Sequence, residues 1–272
     1  MKLIILITIL FCSLPGFSQR NLTIRKNQTK SIVTSISSLL IDTLIIEDNG
    51  KIVIEDNVPA FSLIAKFAII GNNVTISGTR KMQTQSEINA QNGNNATDNC
   101  NNGEDGKNGP PGYDGKDAAD IFLYLRIKSI GSLKIIAYGN DGTPGVNGGN
   151  GGIGSNSIFN CVAKKGGRGG NGGMGGNGGN GGTVVFNYTF IDESGGCLNN
   201  QTTLTNGQLN AEIKGGKGGE GGLGGQKGSP GKKLNGIIDL SLNETIPISI
   251  NGSNGKAGKQ GNFIKTVIKQ NL

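Results

Sequence analysis

A chain of 272 residues with no histidine and no tryptophan lacks much of the usual equipment of an enzyme. His-based triads, His-metal centres and most general-base chemistry are excluded. The formal charge of +7 is spread over scattered lysines with few aromatics beside them, which argues against nucleic acid and for weak attraction to acidic glycans or an anionic cell surface.

The chain opens with Lys2, an apolar run from Leu3 to Phe11, and Gly16-Phe17-Ser18 ahead of Gln19. A positive start, a short apolar centre and a small-residue cleavage site are the marks of a secretory leader, expected over residues 1–18. The run is too short to span a bilayer, and no later stretch approaches the roughly 20 apolar residues a membrane helix needs. Phe11 stands before Cys12 where lipidation requires a small residue. The mature chain is therefore expected outside the cytoplasm, secreted or at the cell surface, with no membrane span. Losing Lys2 takes the 26 Lys and Arg to 25, against 19 Asp and Glu. Cys100, Cys161 and Cys197 remain, enough for one internal pair.

Residues 19–77 read as an N-terminal β module. Short β-branched stretches (Ser31–Leu40, Thr43–Glu47, Lys51–Glu55, Phe61–Phe67 and Val74–Ser77) alternate with turn signals such as Asp48-Asn49-Gly50 and Gly71-Asn72-Asn73. Close spacing of short strands predicts a small β-solenoid or sandwich. Residues 78–102, rich in Asn and Gln, read as a polar linker.

From Gly103 glycine recurs at every third position in separate runs: 103–115, 139–154, 166–182, 215–231 and 252–261. Period three matches the polyproline-II conformation, which makes no internal hydrogen bonds and must bond sideways. Glycine allows this because two backbones without β carbons can approach closely. The expected fold over 103–272 is therefore all-β plus polyglycine-II, an elongated bundle of polyglycine-II helices collinear with β-strands. Doublet G-G-x runs place glycine on two faces, so 166–182 and 215–225 are expected deepest and 103–115 and 252–261 at the edges. Strands are expected at Ile121–Ile127, Leu133–Tyr138, Thr183–Phe190, Gln208–Ile213, Ile237–Leu242 with Ile246–Ile250, and Phe263–Ile268, with reversals joining them. That layout brings Cys100 and Cys161 to the glycine end and leaves Cys197 roughly 75 Å of extended chain from Cys161. Cys100–Cys161 is the favoured disulfide.

The G-G-x blocks resemble the glycine-rich sandwich of phage long-tail-fibre receptor-binding adhesins and, more distantly, glycine-rich antifreeze proteins. In the adhesins variable loops at the tip bind host receptors. That likeness implies a contact site on the loop 155–165: Ser155, Asn156, Phe159, Asn160, Lys164 and Lys165. A secretory leader is a departure from a phage fibre and favours a secreted or cell-surface protein. Collagen-like GEDGKNGPPGYDGK at Gly103–Lys116 is too short for a triple helix unaided. Glu104, Asp105, Asp114, Asp117 and Asp120 could hold one calcium, though solvated charge is the favoured reading. The function expected is structural, with adhesin-like binding through loop tips to a cell-surface glycan or protein receptor, and no catalytic, cofactor or metal residues. The alternative is ice binding, which wants a flat face of small residues where this chain offers Arg168, Met174, Lys217, Glu220 and Leu223.

Overall fold

The computed structural model describes residues 19–33, 37–82, 90–97, 100–198, 203–238 and 240–268. The expected leader, 1–18, lies outside them. Among the described residues the strands are β1 Gln19–Ile24, β2 Thr29–Ile32, β3 Ser38–Ile46, β4 Lys51–Ile54, β5 Ala60–Ile70, β6 Val74–Ser77, β7 Asp120–Ile130, β8 Leu133–Ile136, β9 Val184–Phe190, β10 Leu209–Glu212 and β11 Phe263–Val267. Successive strands alternate between two parallel sheets, ordered β1-β3-β5-β7-β9-β11 and β10-β8-β6-β4-β2. The chain therefore coils, each turn laying one strand on each sheet.

The strands form where apolar and polar residues alternate, so one face of each sheet can be buried. Parallel pairing sets like residues in columns through the core. Leu39, Leu63, Leu123 and Phe186 form one column; Ile41, Ala65, Leu125 and Tyr188 form the next. Ile52, Ile76 and Ile135 answer them from the second sheet. All eleven lie in one buried apolar cluster that runs from Leu22 to Ile213.

The corners between sheets repeat as well. Asn27, Asn49 and Asn73 take left-handed φ values of 62°, 58° and 55°, which asparagine tolerates. Their side chains stack into a ladder, Asn73 Nδ2 donating to Asn49 Oδ1 at 2.8 Å and Asn49 Nδ2 to Asn27 Oδ1 at 3.0 Å.

These sheets correct the expected fold. A small N-terminal module followed by a bundle of polyglycine-II helices is not what forms: β7, β9 and β11, from the glycine-rich half, extend the same sheet that β1, β3 and β5 begin. The regular structure is β, and the glycine runs carry no helix. The physical reason is the apolar strand pattern, which continues in register across the composition change and drives one shared core. The expected reversals are corrected with it. β7 and β8 do not pair with each other but belong to different sheets, each parallel to its neighbours. Neither Ile237–Leu242 nor Ile246–Ile250 is a strand; Leu240–Asn243 forms one 3-10 turn instead.

The glycine runs are excursions between strands, leaving after β6, β8 and β10 and returning into β7, β9 and β11. Their main chains bond sideways. Gly106, Gly109, Gly112 and Gly115 donate N–H to the carbonyls of Arg168, Asn171, Met174 and Asn177 at 2.7–2.8 Å. Gly170, Gly173 and Gly176 donate to Gly149, Val146 and Thr143 at 2.8–3.0 Å. Run 139–154 gains a further neighbour toward its end, where residues 91–96 of the expected linker lie along it: Gly93 donates to Asn150 at 2.7 Å and Ala96 to Ile153 at 2.8 Å. Run 252–261 lies at an edge, its glycines only half-buried.

A further amide in many triplets finds a side chain. Asp105, Asn108, Asp114 and Asp117 accept the N–H groups of Arg168, Asn171, Asn177 and Asn180 at 2.5–2.8 Å. Asn171, Asn177 and Asn180 in turn accept those of Ile250, Lys256 and Lys259 at 2.9–3.1 Å. Of the acidic residues weighed for calcium, Asp105, Asp114 and Asp117 are thus main-chain acceptors, as is Asp120 for the Thr183 N–H at 2.6 Å, each satisfying an amide that would otherwise be orphaned. Glu104 accepts the Asn94 side-chain amide at 2.8 Å. No group of three or more His, Cys, Asp or Glu among the described residues is arranged to hold a metal ion.

Arg80, 7% exposed, ties the excursions to the coil. It donates to the carbonyls of Glu55 at 2.7 Å, Val58 at 2.6 Å and Asp117 at 3.2 Å. At the root of the second excursion Tyr138 donates its hydroxyl to Glu212, which also pairs with Lys134 at 2.8 Å.

Two predictions follow from these contacts. A β carbon on Gly173 would lie 2.0 Å from the Pro110 carbonyl oxygen, and one on Gly207 no nearer than 3.9 Å to anything. Gly173→Ala should destabilise by about 3 kcal/mol and Gly207→Ala by less than about 0.5 kcal/mol in denaturant melts. Hydrogen bonds from Lys134 and then Tyr138 hold Glu212 below the usual carboxylate range of about 4.5, so the folded state resists a proton that the unfolded chain accepts. Its stabilisation is present above that range and is lost as pH falls through it. Tyr138 is pushed up to about 12, first by its bond to Glu212 and then by burial. Its stabilisation is full below pH 10, its ordinary value, and is lost between there and about 12. Thermal melts against pH should show both limbs, and Tyr138→Phe should weaken the alkaline one.

Candidate functional site

The loops between outgoing and returning segments stand at the far ends of the excursions from the sheets. Residues 155–165 form one of them. Ser155 is buried at its root, where its N–H donates to the Asn101 carbonyl at 3.0 Å and its own carbonyl accepts from Lys164 at 3.0 Å. Asn156 accepts the Lys232 N–H through its Oδ1 at 2.8 Å. A tight turn closed by mutual Ile158 and Cys161 main-chain bonds, 2.9 and 3.0 Å, projects Phe159 and Asn160. Phe159 is 96% exposed. Lys164 is half-buried and Lys165 exposed. The six residues named from the resemblance therefore divide: Ser155, Asn156 and Lys164 bond the root, while Phe159, Asn160 and Lys165 face outward.

Cys100 and Cys161 are joined by a disulfide with their Cα atoms 5.6 Å apart. It fastens the start of the first returning segment to this turn. Cys197 takes no part in it.

A second loop, 232–248, packs beside the first. Its apolar residues read as strands in the sequence, and nothing there marked them as a surface. The Ser157 N–H donates to the Lys232 carbonyl at 2.7 Å. Between the loops lies a cleft of 590 Å³ lined by Ser157, Val162, Ala163, Leu234 and Leu242 among others. The second loop is anchored by buried Asn243, whose Oδ1 accepts the Gly166 N–H at 3.1 Å and whose Nδ2 donates to the Gly228 carbonyl at 2.6 Å. Val162 and Leu234, which line the cleft, are largely exposed, as are Phe159, Ile237 and Leu240 beyond it. Large apolar side chains crowded at the surface of two adjoining loops are a recognised mark of a contact site. Such an arrangement offers apolar and cationic contact but no nucleophile paired with a base.

The disulfide closes a segment of 61 residues, and constraining the unfolded chain over that length is worth up to about 4 kcal/mol. Reduction, or Cys100→Ser with Cys161→Ser, should lower the melting temperature measured by circular dichroism, with Cys197→Ser as a control that does not.

No protein-family model and no curated protein matches this chain. Among solved structures, a springtail antifreeze protein from Granisotoma rainieri, described as a bundle of nine polyproline type II helices, aligns at 21% identity over 55% of this chain and 98% of its own. The TM-score is 0.11, and so low an overlap establishes no shared fold.

Proposed function

We propose that this protein is an extracellular, non-enzymatic scaffold that contacts a surface through the paired loops 155–165 and 232–248. The observation that carries the reading is the cluster of exposed Phe159, Val162, Leu234 and Leu240 on loops whose roots are fastened by Asn243 and the Cys100–Cys161 disulfide. A fixed apolar tip loses little conformational freedom on binding, so most of its buried area counts toward affinity. The leader expected over residues 1–18 and the absence of histidine from the chain support the extracellular, non-catalytic half of the proposal.

Ice binding fits less well. The outermost outgoing row exposes Lys217, Glu220, Leu223 and Gln226, a bulky and charged surface in place of small side chains. Among the described residues no helix is long and apolar enough to cross a membrane.

Labelled protein should bind whole cells, and Phe159→Ser with Leu234→Ser should weaken that binding at least about tenfold, since each buried side chain of this size is worth about 1.5 kcal/mol or more. Wild-type binding unaffected by the double substitution would overturn the loop assignment. Inhibition of ice recrystallisation by the wild-type protein would favour the rival.

A further inference from the structure

We infer that the surface met by these loops is an anionic lipid bilayer, a reading that rests on the loop-tip contact proposed above and names its partner. The tip has two layers of different chemistry. Outermost are Phe159, Val162, Leu234, Ile237 and Leu240, all exposed and none paired with a polar group through its side chain. Around and behind them stand the cations. The segments 155–165 and 226–244 contain Lys164, Lys165, Lys227, Lys232 and Lys233 against two acids, Asp239 and Glu244.

The lysines sit where the geometry would place headgroup contacts. Lys164 and Lys165 follow the turn that carries Phe159 and Val162, and Lys232 and Lys233 precede the turn that carries Leu234. The two sets are brought together by the Ser157–Lys232 main-chain bond and by Asn156 accepting from Lys232. Lys227 donates to the Asn243 carbonyl at 3.2 Å, so it also stands at the base of the second loop. Apolar side chains that enter the acyl boundary, with lysines behind them at headgroup depth, are the pattern of a peripheral membrane contact. Each lysine near an anionic surface adds attraction that falls away within a Debye length, so the contact is salt-sensitive.

A glycan receptor fits these side chains less well. Sugar recognition wants aromatic platforms and converging polar groups, and Phe159 is the single aromatic of the two segments. The cleft between the loops is lined mainly by aliphatic carbon, as a site that receives acyl chains would be.

The test is co-sedimentation of the purified protein with large unilamellar vesicles of phosphatidylcholine alone and of phosphatidylcholine mixed with phosphatidylglycerol. Binding is expected to the mixed vesicles, at least about tenfold weaker to the neutral ones, and to fall steeply as salt rises. Phe159→Ser with Leu234→Ser should abolish insertion, and Lys232→Gln with Lys233→Gln should reduce both binding and its salt dependence. Tyr113→Ser, exposed and distant in the chain from both loops, should bind as the wild type does. Circular dichroism on each variant separates lost binding from lost folding. No sedimentation with mixed vesicles, in a preparation that still binds cells through Phe159, would overturn the lipid assignment and leave the loop contact standing. Absence of both would overturn both.

Discussion

Each strand and glycine run of the two sheets and three excursions is held by main-chain hydrogen bonds to segments far away in sequence. Such bonds oblige each backbone to lie about 4.8 Å from the next. In the two sheets this is easily met, because neighbours lie on only two sides of a strand and side chains leave on the other two. In the excursions a segment has neighbours on more sides than that. The face toward each extra neighbour has no room for a β carbon: added to Gly169 it would meet the Gly225 carbonyl oxygen at 2.0 Å, and added to Gly170 the Lys107 carbonyl oxygen at 1.9 Å. Paired glycines therefore occur where a segment is approached from two directions, and single ones where it is approached from one.

The same constraint explains the asparagines and aspartates. A segment bonded through one amide in three leaves others to be satisfied, and buried orphans of that kind cost about 1–3 kcal/mol each. Asn and Asp side chains reach across to the next row and accept them, as Asp114 does for Asn177 and Asn177 does for Lys256. The ladder ends at the last row, where Lys256 and Lys259 stand in place of a further acceptor. An exposed edge carrying lysine discourages another chain from adding to it. Stacking is thus propagated by one residue type and terminated by another.

Holding the excursions this firmly has a consequence at their far ends. The loops there are the parts of the excursions released from the lattice of main-chain bonds, and so the parts free to carry apolar side chains outward. Asn243 and the Cys100–Cys161 disulfide extend the scaffold into the loop roots, leaving short projecting turns. A tip made in this way presents Phe159 and Leu234 together although they are 75 positions apart in the sequence.

Local preferences were legible in the chain alone. Alternation from Ile121 to Ile127 and from Thr183 to Phe190 marked strands within a few residues of where they form, and threefold glycine marked backbones that approach closely. Both are local signals, carried by a side chain's presence or absence at a fixed period. Which backbone approaches which was not legible. That Leu39 shares a column with Leu63, Leu123 and Phe186, that the glycine-rich half completes the sheet begun by the first strands, and that Asp114 serves Asn177, are pairings across long separations with no local signature. The tip shows the same division: Phe159 and its lysines could be singled out from the chain, but Ile237 and Leu240 read as strand because apolar spacing is the same for a buried edge and an exposed loop. The folded arrangement is what separates the two, since burial depends on what the rest of the chain places alongside.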